Sequence, residues 1–399
     1  MKIKIILFLI FGIDACILFF EATQLSISSS EAYILYGNFS FLQIVTKFFL
    51  HIFTNHDIGL RFFMICLHLI SAFLLYLITK RYILQERNRL WIVIIFLLLP
   101  GAISSALVVS HASILIFGLF LYVYLIDKSS DQNMNFLLII YLFIDAGFSY
   151  LFLSLVFYNI YMKKEKEAFF IFILYCISIL FYGFVAHGVP SGHLLDILGV
   201  YSAIFSPIIF LYIFYTLYRK FLLKQLDQIW FIASTAFIIS IILSFRQRIN
   251  LEYFAPYLML VIPLSAQMFI QSYRIRLKKF RKTYKIIFIL AFVFLFINAF
   301  VVFFHKELYL ILKNPKNNFA YNLDIAVALS EELKTMKIEC LHVKKNKEMQ
   351  LRLRFYGFPE CHKNILEEVN LSTKQKTNVT ISYKNKILYK ANVTKLNSK

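Results

Sequence analysis

Apolar runs long enough to cross a bilayer recur from residue 3 to residue 304, separated for the most part by short polar connections. A crossing helix needs about 20 mostly apolar residues. Runs of that kind cover 3–20, 60–79, 90–109, 112–126, 136–161, 168–187, 201–218, 228–245, 257–273 and 286–304. The stretch 136–161 is too long for one helix and contains Asp145 and Gly147, so it reads as two short spans broken there. The pattern predicts about eleven transmembrane helices. No small-residue cleavage site follows the first run, which therefore reads as a retained signal-anchor helix.

Two regions depart from this pattern. The first is the long polar loop 21–59, whose middle, Tyr33–Phe53, is apolar enough for amphipathic helices lying in the interface plane. The second is the polar tail 305–399. There Leu323–Leu333 has helical spacing, while Ile338–Val343 and Leu351–Tyr356 alternate like strands. The expected fold is an all-α polytopic membrane domain over 1–304, including the outward loop 21–59, followed by a small α/β domain over 305–399.

Composition agrees with this class. The chain is 60% hydrophobic, with 45 Phe and 25 Tyr, which is no soluble globule. Charge sets the orientation. With the N-terminus inside, the cytoplasmic segments 1–4, 80–89, 127–135, 163–167, 219–227 and 274–285 hold twenty Lys/Arg. The outward connections and span edges hold only Lys47, Arg61, Arg246 and Arg248. This asymmetry satisfies the positive-inside rule and places the tail outside the cytoplasm. The net charge of +20 is then topology plus a Lys-rich tail. Without a basic stripe interleaved with stacking aromatics outside the membrane, it gives no support to nucleic-acid binding. Usage rich in Lys, Ile, Asn and Phe suggests an AT-rich bacterial genome, hence an inner (plasma) membrane protein with a periplasmic tail. Cys16, Cys66 and Cys176 lie in spans, whereas Cys340 and Cys361 flank the two strand-like segments. In an oxidising compartment those two would close a hairpin-like loop of about 20 residues; the alternative is two unrelated free thiols.

Charged residues near the membrane are few. The loop 21–59 carries Glu31, Lys47, His51, His56 and Asp57, and the next span opens with Arg61. These are either interfacial solvation charges or the floor of a catalytic site around a lipid headgroup. Asp14 lies inside the first span, where a partner across the bundle is the expectation. His187, His193 and Asp196 surround a Gly/Pro-rich outward loop, but their spacing matches no metal-ligand motif. A lid or a plain connection are the two readings. No P-loop or nucleotide fingerprint occurs, and 11 Gly in the whole chain argue against a nucleotide-sugar enzyme or an ATP-driven pump. No cofactor motif is present; a divalent metal stays open.

The order of these features resembles the polytopic glycosyltransferases of GT-C fold, in particular the family of protein O-mannosyltransferases and aminoarabinose-lipid A transferases. The family's first outward loop begins with an Asp-Glu pair, a small residue and Tyr; here Ser30-Glu31-Ala32-Tyr33 stands in that place. Gly59-Leu60-Arg61 resembles the start of its second span. Pro100 precedes an outward polar residue, often Asp in the family, here His111. The string Arg248-Ile249-Asn250-Leu251-Glu252-Tyr253-Phe254-Ala255-Pro256-Tyr257 matches the late loop in which an Arg and a Pro-Tyr enter the following helix. Ser30 and His111 depart from the family's pattern, since each replaces an Asp.

The resemblance implies transfer of a sugar from a polyprenyl-phosphate donor to a lipid, glycan or protein acceptor at the outer membrane face, with inversion. It implies Glu31 as the base, Arg248, Arg246, Lys47 and Arg61 as holders of the donor phosphate, and Tyr33, His111, Asp145 and Tyr253 as substrate-lining residues, with membrane lipids around them. Two alternatives stand beside it: a flippase or exporter of a lipid-linked saccharide, and a catalytically inactive relative. The former would show broken helices near mid-membrane.

Overall fold

The computed structural model describes residues 2–126, 128–183, 192–369 and 378–395. The chain forms two compact units, one made of Met1–Cys16 and Met64–Ala299, the other of Ile17–Phe63 and Phe300–Lys399. The segment Ile17–Phe63 clusters with the tail.

In chain order the helices are α1 (Lys2–Gln24), α2 (Ser29–Tyr36), α3 (Phe41–Ile52), α4 (His56–Thr79), α5 (Glu86–Leu97), α6 (Pro100–Leu107), α7 (His111–Leu125) and α8 (Asp131–Ile144). There follow α9 (Ser149–Tyr161), α10 (Glu165–Tyr182), α11 (Leu194–Phe205), α12 (Pro207–Leu222), α13 (Gln228–Ser244), α14 (Ala255–Met259), α15 (Ile262–Ile275) and α16 (Lys278–Phe303). Among the described residues four helices are long and apolar enough to cross a membrane, Ile3–Gln24, His56–Thr79, Leu251–Ile275 and Lys278–Phe303, or six if each sharply bent pair is one crossing. The protein is therefore mostly helical and consistent with a membrane protein, with fewer full-length crossings than the run count predicts.

The reason is that several apolar runs are broken. α5 and α6 meet at 59° just before Pro100, and α11 and α12 at 106° just before Pro207, inside the run 201–218. Proline disfavours helical geometry in the residue before it and ends the incoming helix, yet it suits the first position of the next. Ser206 sits at the second break with φ 68°. The run 136–161 also breaks, at Asp145, whose side chain accepts the Gly147 N–H at 2.7 Å and caps a 3-10 turn over Ala146–Phe148. Inside the first unit, His68 Nε2 lies 3.4 Å from the Asp14 carboxylate.

In the second unit, α17 (Leu308–Ile311), α18 (Tyr321–Thr335) and α19 (Lys347–Phe355) accompany β1 (His342–Val343), β2 (Asn364–Glu368), β3 (Val379–Tyr383) and β4 (Lys386–Lys395). The sheet order is β1-β2-β4-β3, with β1 and β2 parallel and the other pairs antiparallel. Leu329 and Leu333 of α18, Leu353 of α19 and Leu366 of β2 are wholly buried in one apolar core. Residues 351–356 are thus helical for the most part, not a strand. Their Leu-Arg-Leu-Arg alternation is misleading because Arg352 turns inward and is 3% exposed, so the buried set Met349, Gln350, Arg352 and Leu353 has helical spacing. Asn346 caps that helix by accepting the Met349 N–H at 3.0 Å. Cys340 and Cys361 are joined by a disulfide, their Cα atoms 5.6 Å apart. The loop it closes holds β1 and α19 and ends just before β2, so it is most of a parallel β1–α19–β2 crossover, which needs a helix between the strands, and not a hairpin.

Candidate functional site

Three residues from distant parts of the sequence meet in the first unit. His111 opens α7, Asp145 occupies the break after α8, and Tyr253 ends a 3-10 turn over Leu251–Tyr253. The His111 Nδ1 is 2.5 Å from Asp145 Oδ2, and the imidazole and Tyr253 rings lie 5.1 Å apart. Close backbone approach makes this possible. A Cβ on Gly147 would press on the Leu115 methyls and meet Tyr253 Cδ1 at 3.0 Å, so a larger residue beside Asp145 would have to displace them. The Tyr257 hydroxyl donates to the Gly147 carbonyl at 2.6 Å and fixes the turn from its other side.

Glu252 completes the cluster. Its carboxylate accepts the His111 backbone N–H, one of the amides that a helix start leaves without an internal partner. Asn250 in turn accepts the Glu252 N–H at 3.1 Å. The sequence pattern assigned Glu252 no role, yet a signal was there: it is the single acid between Asp227 and Glu307. Arg246 and Arg248 are exposed on the turn that leads into this 3-10 segment.

The cluster has the polarity of a proton acceptor. Because a carboxylate oxygen facing Nδ1 accepts, Nδ1 is the ring nitrogen that carries the proton, and in the neutral imidazole Nε2 is the acceptor. The Asp145 side chain is 2% exposed and that of His111 27%, so the carboxylate is held inside and the imidazole reaches outward.

In the second unit, Glu31 and Arg61 meet each other. Both are wholly buried. Glu31 Oε2 accepts the Ser28 N–H at 2.8 Å, while Ser28 Oγ accepts the Glu31 N–H at 3.2 Å, a capping box that starts α2. Arg61 Nη1 donates to the Ala22 and Leu25 carbonyls at 3.0 and 2.8 Å. Its Nη2 donates to the Ser26 carbonyl at 2.8 Å and to Glu31 Oε2 at 3.3 Å. The guanidinium thus serves carbonyls left at the end of α1 and the extended chain after it, and the carboxylate offsets its charge.

Two further side chains, both missed in the sequence, complete that scaffold. Arg352 donates to the Ile27 carbonyl at 2.9 Å and to the Asn322 carbonyl. Burial pushes its guanidinium down from the usual value. The Tyr356 hydroxyl accepts the Ile27 N–H at 2.9 Å and donates to Asp57 at 3.0 Å, and burial raises its phenol. Tyr33 and Lys47 are exposed on α2 and α3. On α3 the exposed Ile44, Phe48 and Ile52 recur every four residues, one apolar stripe of an amphipathic helix. His187 lies outside the described residues; His193 is 3.4 Å from Asp196. Among the described residues no group of three or more His, Cys, Asp or Glu is arranged to hold a metal.

No protein-family model matches the chain, and no curated protein matches it either.

Proposed function

We propose that the chain is a membrane glycosyltransferase that moves a sugar from a polyprenyl-phosphate donor to a lipid, glycan or protein acceptor at the outer face of a bacterial inner membrane. The observation that carries this reading is the His111–Asp145 pair, with its buried carboxylate and partly exposed imidazole, beside Tyr253, which Arg246 and Arg248 precede in the chain. The base in this reading is His111, positioned by Asp145, because Glu31 is enclosed by its own capping box and Arg61. His111 Nε2 takes the acceptor hydroxyl proton as that oxygen attacks the anomeric carbon. The bond from carbon to phosphate oxygen breaks, and the polyprenyl phosphate leaves with the electron pair. Arg246 and Arg248 supply charge-assisted donors for the departing phosphate. The charge bias supports an N-terminus in the cytoplasm and a periplasmic tail.

The test is transfer from a defined polyprenyl-phosphate sugar by the purified protein in lipid. His111→Gln and Asp145→Asn should each lower the rate by about 10²–10⁴, the usual worth of a general base, with donor binding retained. Arg248→Ala should instead weaken donor binding. Parental rates in both the His111 and Asp145 variants would remove this site from the chemistry.

One observation favours a second reading, a flippase or exporter of a lipid-linked saccharide. The α5/α6 and α11/α12 pairs are helices broken within apolar runs, a device transporters use. Reconstituted vesicles discriminate. Movement of the lipid-linked sugar to the opposite leaflet, with its phosphate bond intact and no acceptor modified, selects transport.

A further inference from the structure

A groove of about 670 Å³ opens between α5, α12, α15 and α16, within the size range of small-molecule and lipid sites. Its length is apolar, walled by Ile95, Ile209, Phe269, Phe288 and Phe292. Its two charged lining residues, Arg274 and Lys285, come from the end of α15 and the first turns of α16; Tyr273, Tyr284, Gln85 and Asn88 also line it, and Tyr212 and Ser265 are its other polar residues. Tyr273 and Tyr284 are held by further cations. The Arg276 guanidinium lies 4.0 Å from the Tyr284 ring centre and donates to its hydroxyl at 2.9 Å, and Arg281 lies 5.7 Å from the Tyr273 ring. Phe269 packs against both Tyr284 and Phe288, at 5.6 and 5.5 Å, and so joins the polar end to the apolar length. No acid is among the described residues that line the groove.

A site that is apolar along its length and cationic at one end complements an amphiphile with the opposite head. We propose that this groove holds one anionic phospholipid, its phosphate between Arg274 and Lys285 and an acyl chain along Ile95, Ile209 and Phe288. A zwitterionic lipid would bring its own ammonium against these cations, which is why headgroup charge decides occupancy. The site lies in a segment unrelated to the His111 cluster, and its occupancy does not depend on the reaction proposed there.

Trp91 lines the groove and is one of two tryptophans in the chain, the other being Trp230. In a Trp230→Phe background reconstituted in mixed bilayers, brominated phosphatidylglycerol should quench Trp91 at several-fold lower mole fraction than brominated phosphatidylcholine. Arg274→Gln and Lys285→Gln should each weaken that preference by about five-fold, the usual effect of one cation near an anionic headgroup. Ala266→Phe, which fills the groove without touching its charged end, should remove quenching by both lipids at low mole fraction. Equal quenching by the two lipids, or a preference that survives the double charge variant, overturns the site and leaves ordinary annular lipid. The unaltered chain gives an independent reading by native mass spectrometry from mixed-lipid nanodiscs. One retained phosphatidylglycerol, lost in the double variant, supports the proposal, and a parent protein without that adduct overturns it.

Discussion

A buried guanidinium needs both hydrogen-bond acceptors and a counter-charge, and Arg61 has three backbone carbonyls and Glu31. Removing one partner of such a pair typically costs about 3–5 kcal/mol, because the remaining charge stays buried. Glu31→Gln keeps a side chain able to complete the capping box but loses the charge, so its main effect should be a lowered unfolding midpoint in detergent. An unchanged midpoint with lost activity would return Glu31 to the chemistry. His305 gives a second prediction at this scale. Its Nδ1 faces the Val302 carbonyl at 3.1 Å and its Nε2 the Asp324 carboxylate at 3.0 Å, so both nitrogens must donate. Burial alone would lower the imidazole, but the bonded, charged Asp324 outweighs it and raises the group above its ordinary 6.5. A group raised on folding stabilises fully below its unfolded value and loses that contribution as pH rises through the folded one. The unfolding midpoint should therefore fall as pH rises above the ordinary 6.5 and through the raised folded value, and His305→Gln should flatten that part of the profile.

At the scale of elements the breaks matter most. Ser206 is wholly buried, has φ 68° and leaves its hydroxyl without a partner among the described residues. Positive φ of this kind costs a side-chain-bearing residue roughly 1–3 kcal/mol. Ser206→Gly should therefore stabilise the α11–α12 corner by about 1 kcal/mol, and Ser206→Val should destabilise it, as read from thermal unfolding. How much of this was legible in sequence follows from what each residue must do. Asp145 and Gly147 announced their break, since a capping acid and a glycine in an apolar run have few other uses. Pro207 offered a similar signal inside the run 201–218, but hydropathy alone averages across it. The strand reading of 351–356 failed because alternation assumes that arginine points to solvent, and Arg352 instead serves backbone carbonyls. The same blindness hid the partners of Arg61 and the place of Glu252. A sequence shows that a charge exists near a membrane but not which backbone group it satisfies.

At the scale of the whole molecule, the proposed topology predicts that reporters fused within 274–285 and at the C-terminus report opposite sides of the membrane. The same side for both would reject it. The disulfide joins residues 21 apart in sequence, and a closed loop of that size is worth about 3 kcal/mol in the chain-entropy account. Replacing both Cys340 and Cys361 by Ala should lower the unfolding transition of the tail accordingly.

α16 buries only Leu295 and Ala299 along its whole length. Its contacts with the first unit run through Phe288, Phe292 and Tyr284 and, near its start, through the hydrogen bonds of Arg276 and Arg281. A helix with so little protein around it takes its position from whatever hydrocarbon surrounds it. Deuterium uptake along α16 should then depend on the mimetic chosen for purification, slow in lipid nanodiscs and fast in short-chain detergent, while α7 and α13 exchange alike in both. The choice of solubilising agent thus becomes an experimental variable for this protein, because it decides how much of the native helix packing survives extraction.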